Sequence, residues 1–245
     1  MGIEGKVALV TGGGRGIGAA IAQRLAADGA DIALTYNASA DRAEQVAAKI
    51  RDTGRRALAV RAPAADADAV PTAVERTVAE FGRLDILVNN AGIFPYGTID
   101  ELTLEQFDET VSLHLRAAFA GAKAASPHLP DGGRIITIGS NLAERATRPG
   151  LSLYSMTKAA LVGFSKGLAR DLGPRGITVN VVHPGSTDTE MNPADSASSD
   201  GQRAITALGR YAAADEIAAA VSYLAGEGGS FVTGSAITVD GGANA

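Results

Sequence analysis

The chain contains no cysteine and no tryptophan, and aromatic residues make up only 4% of its 245 positions. Disulfides and thiolate–metal sites are therefore excluded, and an intracellular compartment fits this composition best. Hydrophobic residues account for 46% of the sequence, so alanine and aliphatic side chains have to fill the core. The length suits one large α/β domain or two small ones. Because no linker rich in proline, glycine or serine divides the chain, we expect one domain over residues 1–245.

Long apolar runs and long runs of like charge are absent as well. No segment approaches the ~20 apolar residues that span a bilayer, and the start of the chain lacks the basic, then apolar pattern of a signal peptide. We therefore expect a cytoplasmic protein without a membrane partner. The net charge of −5 is spread along the chain, so nucleic acid is not expected as a partner. No histidine spacing marks a metal site, and none is predicted.

Short β-branched or aliphatic runs alternate with longer alanine-rich stretches, which is the pattern of βαβ units around a parallel sheet. The irregular stretch 184–210 is either a functional lid or disordered, and we favour a lid over the substrate near residues 186–210. The strands are predicted at 6–11, 31–36, 56–60, 84–89, 133–139, 176–182 and 236–239. The helices are predicted at 16–28, 39–53, 68–81, 101–125, 151–173 and 213–225.

A glycine-rich turn follows the first predicted strand and leads directly into a helix. In that position glycines permit a tight turn, let the backbone approach phosphate groups and place them at a helix N-terminus. The alternative is a flexible loop, but the strand–turn–helix context favours nucleotide binding. The predicted contacts are Gly12, Gly14, Arg15, Gly16, Ile17 and Gly18.

The choice of nucleotide depends on the end of the second strand. NAD sites usually place an acidic residue there for the ribose, whereas a 2′-phosphate needs a cation. This segment has no acid before Asp41, and Arg15 can offer a guanidinium. We therefore predict NADP(H) over NAD(H); the alternative is that Asp41 reaches the ribose while Arg15 is solvated. The residues predicted to contact this part of the cofactor are Tyr36, Asn37, Ala38 and Ser39.

Tyr154 and Lys158 stand four residues apart, and Ser140 lies fourteen residues before the tyrosine. A free phenol has a pKa near ~10, too high for ready proton exchange at neutral pH. A cation one helical turn away favours the phenolate and lowers that pKa. With a serine hydroxyl to hold a substrate oxygen and a nucleotide in the glycine turn, these residues predict proton transfer coupled to hydride transfer at a carbonyl or alcohol carbon.

These motifs occur in one order, and together they resemble the short-chain dehydrogenase/reductase family from about Lys6 to Gly242. The chain is most similar to 3-oxoacyl-carrier-protein reductases and related ketoreductases. The resemblance implies an α/β, doubly wound, Rossmann-like sheet of seven parallel strands with helices on both faces, assembled as a homotetramer or homodimer. The motifs are Thr11-Gly-x-x-x-Gly-x-Gly18, Asn89-Asn-Ala-Gly92, Ser140, Tyr154-x-x-x-Lys158 and Pro184-Gly185.

The resemblance also implies a role for each residue. Tyr154 would be the general acid in reduction and the base in oxidation, Lys158 would lower its pKa and hold the nicotinamide ribose, and Ser140 would bond the substrate oxygen. For Thr187 and Thr189 a loop-capping role is the alternative. Asn90, Ala91 and Gly92 would flank the adenosine side of the cofactor, and Pro184, Gly185, Thr187 and Thr189 would face the nicotinamide.

Two positions depart from the family pattern. His114 stands where relatives usually have an asparagine that helps carry protons from the lysine to solvent; it is either a relay residue or a helix histidine satisfied within the protein. Pro63 stands in Pro63-Ala64 where relatives often have Asp-Val, so a hydrogen bond to adenine should be missing and cofactor binding weaker. These departures motivate an alternative function: a nucleotide-binding sensor or regulator with little turnover.

A stripe of small residues recurs every fourth position on the helix that carries Tyr154. The resemblance favours a helix pair across a subunit interface, with residues 236–240 building a second one. The alternative is packing against the sheet of the same subunit. The stripe consists of Ser155, Ala159, Gly163 and Gly167.

Overall fold

The computed structural model describes residues 2–63 and 66–245. Its strands form one sheet in which every neighbouring pair is parallel, in the order β3-β2-β1-β4-β5-β6-β7. The predicted fold class is therefore confirmed. The strands are β1 (Val7–Val10), β2 (Asp31–Tyr36), β3 (Ala57–Arg61), β4 (Ile86–Asn89), β5 (Arg134–Ile138), β6 (Thr178–Pro184) and β7 (Ala236–Val239).

The helices lie close to their predicted positions, and the largest difference is at the predicted helix 101–125. That helix begins after Thr103, whose side chain accepts the Gln106 N–H at 3.2 Å while the Gln106 side chain accepts the Thr103 N–H at 2.9 Å. A π-helical segment, Ser112–Arg116, joins its two halves. The helices are α1 (Gly16–Ala27), α2 (Ala40–Asp52), α3 (Ala69–Phe81), α4 (Leu104–Val111), α5 (Ala117–Ala125), α6 (Ser152–Leu172), α7 (Ser199–Ala204) and α8 (Ala214–Ala225).

Both faces of the sheet are covered by helices. In β4, Ile86 and Val88 belong to a core that includes residues of α1, α2 and α8, whereas Leu87 belongs to a second core with residues of α3, α5 and α6. All three side chains are fully buried. Successive strand residues point to opposite faces, so burial on both sides requires continuous apolar runs, as the strand sequences show.

The strand order reverses at β1, which pairs with β2 on one side and β4 on the other. In open α/β sheets, ligands bind in the crevice outside the carboxyl ends of the strands at this switch point. The fold therefore brings the glycine turn after β1 and the loop after β4 to one crevice.

The stretch 184–210 is more regular than predicted, because it contains the end of β6 and the six-residue helix α7. The Gln202 side chain orders it by exchanging two hydrogen bonds of 3.0 Å with the Asn192 amide and accepting one of 2.6 Å from the Ser186 hydroxyl. The helix is short and polar and has no apolar periodicity, so no sequence pattern predicts it. Its role as a lid stays a proposal.

Candidate active site

The glycine turn has the backbone shape that the sequence predicts. Gly12 and Gly16 have φ values of +65° and +52°, in the left-handed region that favours glycine. A Cβ at Gly18 would lie only 2.3 Å from the Gly12 carbonyl oxygen, so α1 packs directly against the turn. Arg15 precedes α1 with an extended backbone and an exposed side chain. The free N–H groups at the start of α1 and this cation suit a dinucleotide phosphate.

Thr11 and Asn90 tie the glycine turn to the loop after β4. The Thr11 hydroxyl accepts the N–H groups of Asn90 and Ala91 at 2.9 and 3.1 Å. The Asn90 amide donates to the carbonyls of Thr11 and Gly12 at 2.9 and 3.2 Å. The Asn90 side chain thus bonds within the protein, while Ala91 and Gly92 lie beside it in the crevice. Thr11 was not among the predicted contacts, although a threonine directly after β1 was visible in the motif.

The helix that follows β2 supplies a second cation, Arg42, which was not among the predicted contacts. Tyr36 ends the strand half-buried, and residues 37–39 are exposed. Arg42, in the first turn of α2, reaches Glu190 at 2.5 Å, and Arg15 reaches the same carboxylate oxygen at 3.5 Å. The sequence feature that could have indicated this cation is a basic residue in the first turn of the helix that follows β2.

Pro63 lines a cleft beside the glycine turn together with Asp66 and Ala91. Ala64, the other half of the predicted departure, lies outside the described residues. One carboxylate oxygen of Asp66 accepts the Asp68 N–H at 2.9 Å. The predicted weakening of cofactor binding stays a prediction.

Ser140 follows β5 and is held by a buried histidine on β6. Its N–H donates to His183 Nδ1 at 2.9 Å, and the His183 side chain is fully buried. A Cβ at Gly139 would lie 2.3 Å from the same ring nitrogen, so only glycine fits beside the imidazole. The geometry gives His183 a structural role.

Tyr154 lies in the first turn of α6, where its ring packs at 4.7 Å from the Phe94 ring and 5.9 Å from the His114 ring, both edge to face. Burial raises the pKa of the phenol, and a hydrogen bond with the Ser140 side chain opposes that rise. The net direction is therefore opposite to the lowering that the i, i+4 spacing predicts, and the effect of Lys158 on this pKa stays a prediction. The reason for the opposite direction is desolvation, which favours the neutral phenol in a site of low dielectric constant.

Lys158 lies one turn further along α6 and is almost fully buried, with 5% of its surface exposed. Its Nζ lies 5.7 Å from the centroid of the Tyr154 ring and donates to the Ile138 carbonyl at 3.0 Å. Burial lowers the pKa of this ammonium from 10.5 to about 8. The shared helix face therefore places the ammonium near the phenol ring.

His114 lies in the π-helical segment, a local distortion that often marks functional sites. Its Nε2 accepts the Ile93 N–H at 3.0 Å, and its Nδ1 lies 2.9 Å from the Thr157 hydroxyl. Nε2 is therefore unprotonated, and Nδ1 carries the hydrogen. Burial first, and then the charge of Lys158, lower the pKa of the imidazole to about 3. Both nitrogens are occupied within the protein, which favours the structural alternative; a relay role stays a prediction.

The segment after β6 reaches the glycine turn. A Cβ at Gly185 would lie 2.6 Å from the Asp240 Cα, so this glycine permits a close backbone crossing after Pro184. Thr187 is buried and donates to the Gly185 carbonyl at 3.0 Å, which fits loop capping. The Thr189 methyl group would lie 3.5 Å from a Cβ at Gly16, which places the start of the 186–210 segment against the turn.

No group of three or more His, Asp or Glu side chains within residues 2–63 and 66–245 is arranged to hold a metal ion. In the same part of the chain, every helix is too short or too polar to cross a membrane.

A doubly wound sheet with a glycine turn at its switch point defines a dinucleotide-binding class of protein. The family model described as enoyl-(acyl carrier protein) reductase matches residues 12–244. The chain therefore belongs to the short-chain dehydrogenase/reductase family of oxidoreductases, as the order of its motifs predicts.

Several relatives cover nearly the whole chain. The crystal structure of a short chain dehydrogenase from Burkholderia cenocepacia J2315 in complex with NADP is 57% identical, with a TM-score of 0.98 over 99% of both chains. The cyclic-di-GMP-binding biofilm dispersal mediator protein of Escherichia coli K12 is 43% identical over 97% of this chain and 96% of its own length. The versicolorin reductase of Emericella nidulans is 38% identical over 98% and 96%, respectively.

Proposed function

We propose that the protein is an NADP(H)-dependent oxidoreductase that transfers a hydride between the nicotinamide and a carbonyl or alcohol carbon, with a small ketone or 3-oxoacyl compound as its substrate class. One observation carries this proposal: Ser140, Tyr154 and Lys158 meet at the carboxyl edge of the sheet, beside a glycine turn that fits a dinucleotide. The similarity to an NADP-bound dehydrogenase and to a named reductase supports it.

The proton chemistry follows from the buried phenol. Because burial raises its pKa, Tyr154 keeps its proton at neutral pH and acts as the general acid in reduction. The Ser140 hydroxyl, whose backbone is fixed by His183, holds the substrate oxygen so that it is polarised as the proton arrives. In oxidation the phenol has to lose its proton first, so the rate of oxidation should increase as the pH rises.

NADP(H) supplies the hydride when it is bound. Lys158 would hold the nicotinamide ribose with its ammonium, which is mostly protonated at neutral pH because its pKa is about 8. Gly12, Gly16 and the start of α1 would hold the diphosphate. Arg15 and Arg42 would hold the 2′-phosphate, since guanidinium groups pair with phosphate oxygens in fixed geometry. No acidic residue precedes Asp41 at the end of β2, so NADP(H) is preferred over NAD(H).

The substrate would enter beside Phe94 and Tyr96, which are 37% and 58% exposed, under a lid formed by residues 186–210. Met191, 52% exposed on that segment, would contribute an apolar surface. These groups favour a compact apolar ketone, aldehyde or acyl chain.

The test is an assay of NADPH oxidation across a panel of ketones, aldehydes and 3-oxoacyl thioesters, repeated with NADH. The proposal expects turnover of at least one carbonyl class with a higher kcat/KM for NADPH than for NADH. Higher kcat/KM with NADH would contradict the cofactor assignment, and no turnover despite tight nucleotide binding would contradict the enzymatic one.

A second candidate function is a nucleotide-binding regulator with little turnover. The similarity to a protein named as binding cyclic di-GMP favours it, as do His114 and Pro63 at positions that depart from the family pattern. A calorimetric titration with cyclic di-GMP, performed with and without NADPH, distinguishes the regulator from the enzyme. Binding of cyclic di-GMP together with failure of the carbonyl assay would support the regulator.

We also propose a homotetramer or homodimer, with α6 at one interface. Ala159, Gly163 and Gly167 are exposed on α6, and a Cβ at either glycine would meet nothing within 4 Å. These three residues therefore do not pack against the sheet of their own chain, which leaves them available to a second copy of the chain. The cytoplasmic location stays a prediction from composition.

A further inference from the structure

Glu190 contacts two arginines, one in the glycine turn and one in the first turn of α2. Its Oε2 lies 2.5 Å from Arg42 Nη1 and 3.5 Å from Arg15 Nη1. All three side chains are slightly more than half exposed. Two like-charged guanidinium groups therefore converge on one carboxylate oxygen, which offsets their mutual repulsion.

The contact joins three separate parts of the proposed cofactor site. Arg15 lies in the glycine turn, Arg42 lies in the first turn of α2 after β2, and Glu190 lies on the 186–210 segment. The residue before it, Thr189, packs against Gly16. Glu190 therefore connects the proposed lid to the two cations assigned to the 2′-phosphate.

We propose that Glu190 competes with the 2′-phosphate of NADP(H) for Arg15 and Arg42, and so limits the preference for NADP(H) over NAD(H). This inference rests on the proposed function, because it concerns the cofactor assigned there. Carboxylate and phosphate oxygens seek the same guanidinium donors. The phosphate has to displace the carboxylate or bind beside it, and either outcome costs binding free energy.

NAD(H) carries no 2′-phosphate, so it does not compete with Glu190. Removing the negative charge of Glu190 should therefore tighten NADP(H) binding and leave NAD(H) binding nearly unchanged. Exposed ion pairs contribute little, so the expected change in the Kd of NADPH is about 3- to 10-fold.

The experiment measures the Kd values of NADPH and NADH by isothermal titration for the wild type, Glu190→Gln and Asp195→Asn. Asp195 is an exposed carboxylate on the same segment, so its variant removes the same charge from the same part of the chain. We expect Glu190→Gln to lower the Kd of NADPH about 3- to 10-fold, and Asp195→Asn to change neither Kd by more than about 2-fold.

A double-mutant cycle with Arg42→Gln adds a second readout. Arg42→Gln should weaken NADPH binding, and in that background Glu190→Gln should lose at least half of its effect. An unchanged ratio of the two Kd values in Glu190→Gln, or an equal change for both nucleotides, would overturn the inference while leaving the proposed function intact. If the wild type bound neither nucleotide, the proposed function would fail and the inference with it.

Discussion

The ammonium group of Lys158 is buried, and burial disfavours its charged form. Burial lowers the pKa of its ammonium from 10.5 to about 8, and that difference corresponds to about 3 kcal/mol of destabilisation when the group is protonated in the fold. Its hydrogen bond to the Ile138 carbonyl offsets about 1 kcal/mol of this cost. Function at this residue therefore opposes stability.

We expect Lys158→Met to raise the free energy of unfolding at pH 7 by about 2 kcal/mol, because a thioether replaces a buried ammonium. Between pH 8 and 10.5 the unfolded chain holds the lysine proton more tightly than the fold does, so the wild type gains stability with rising pH and the advantage of the variant shrinks. Chemical denaturation at several pH values measures this. The same change should lower kcat/KM at least about 100-fold. A variant less stable at pH 7 and unchanged at pH 10 would contradict the burial argument.

At the scale of secondary-structure elements, His114 connects the π-helical segment, the loop after β4 and α6. It sits in the π-helical segment between α4 and α5, accepts from the loop at Ile93 and contacts Thr157 of α6. Burial lowers the pKa of its ring to about 3, against 6.5 in an unfolded chain. As pH falls below 6.5, the unfolded chain binds the proton first, so this histidine stabilises the fold above that pH and loses its contribution toward pH 3.

His114→Asn removes the titrating ring. Between about pH 6 and pH 4 the wild type should lose stability more steeply than this variant, by about 1.4 kcal/mol per pH unit. Urea denaturation at each pH gives the two slopes. The control is His128→Asn, which removes a partly buried histidine beside Glu75 and leaves the His114 ring in place. Equal slopes for wild type and His114→Asn would show that the ring is hydrated or charged in the fold.

The elements themselves could be predicted from sequence because each rests on a local pattern. The β-branched runs, the strand–turn–helix glycines and the i, i+4 spacing of Tyr154 and Lys158 depend on residues close in the chain. The tie between Arg42 and Glu190 spans 148 residues, so no local pattern reveals it. The direction of the Tyr154 pKa could not be predicted either, because burial outweighs the hydrogen bond with Ser140 and burial is a property of the folded molecule.

At the scale of the whole molecule, the proposed assembly depends on the surface of α6. The exposed small stripe on α6 lets another backbone approach closely, and the partly exposed Phe119 and Phe164 rings lie 5.9 Å apart nearby. A large charged side chain in the stripe should therefore block association without disturbing the core.

We expect Ala159→Arg to convert the wild-type dimer or tetramer to a smaller species in sedimentation velocity experiments. Ala48→Arg is the matched control, because Ala48 is an exposed alanine in the middle of α2, on the opposite side of the sheet. That variant should keep the wild-type assembly. A monomeric wild type, or an Ala159→Arg variant of wild-type size, would exclude this interface.

The most direct test of the account is the kcat/KM of Tyr154→Phe for a carbonyl substrate, measured together with its Kd for NADPH. Removing one hydroxyl should lower kcat/KM by about 1,000-fold or more, while the Kd for NADPH stays within about 3-fold of wild type, since the phenol acts on the substrate oxygen. A variant that retained a tenth or more of the wild-type kcat/KM would show that the proton comes from elsewhere, and the proposed mechanism would be wrong.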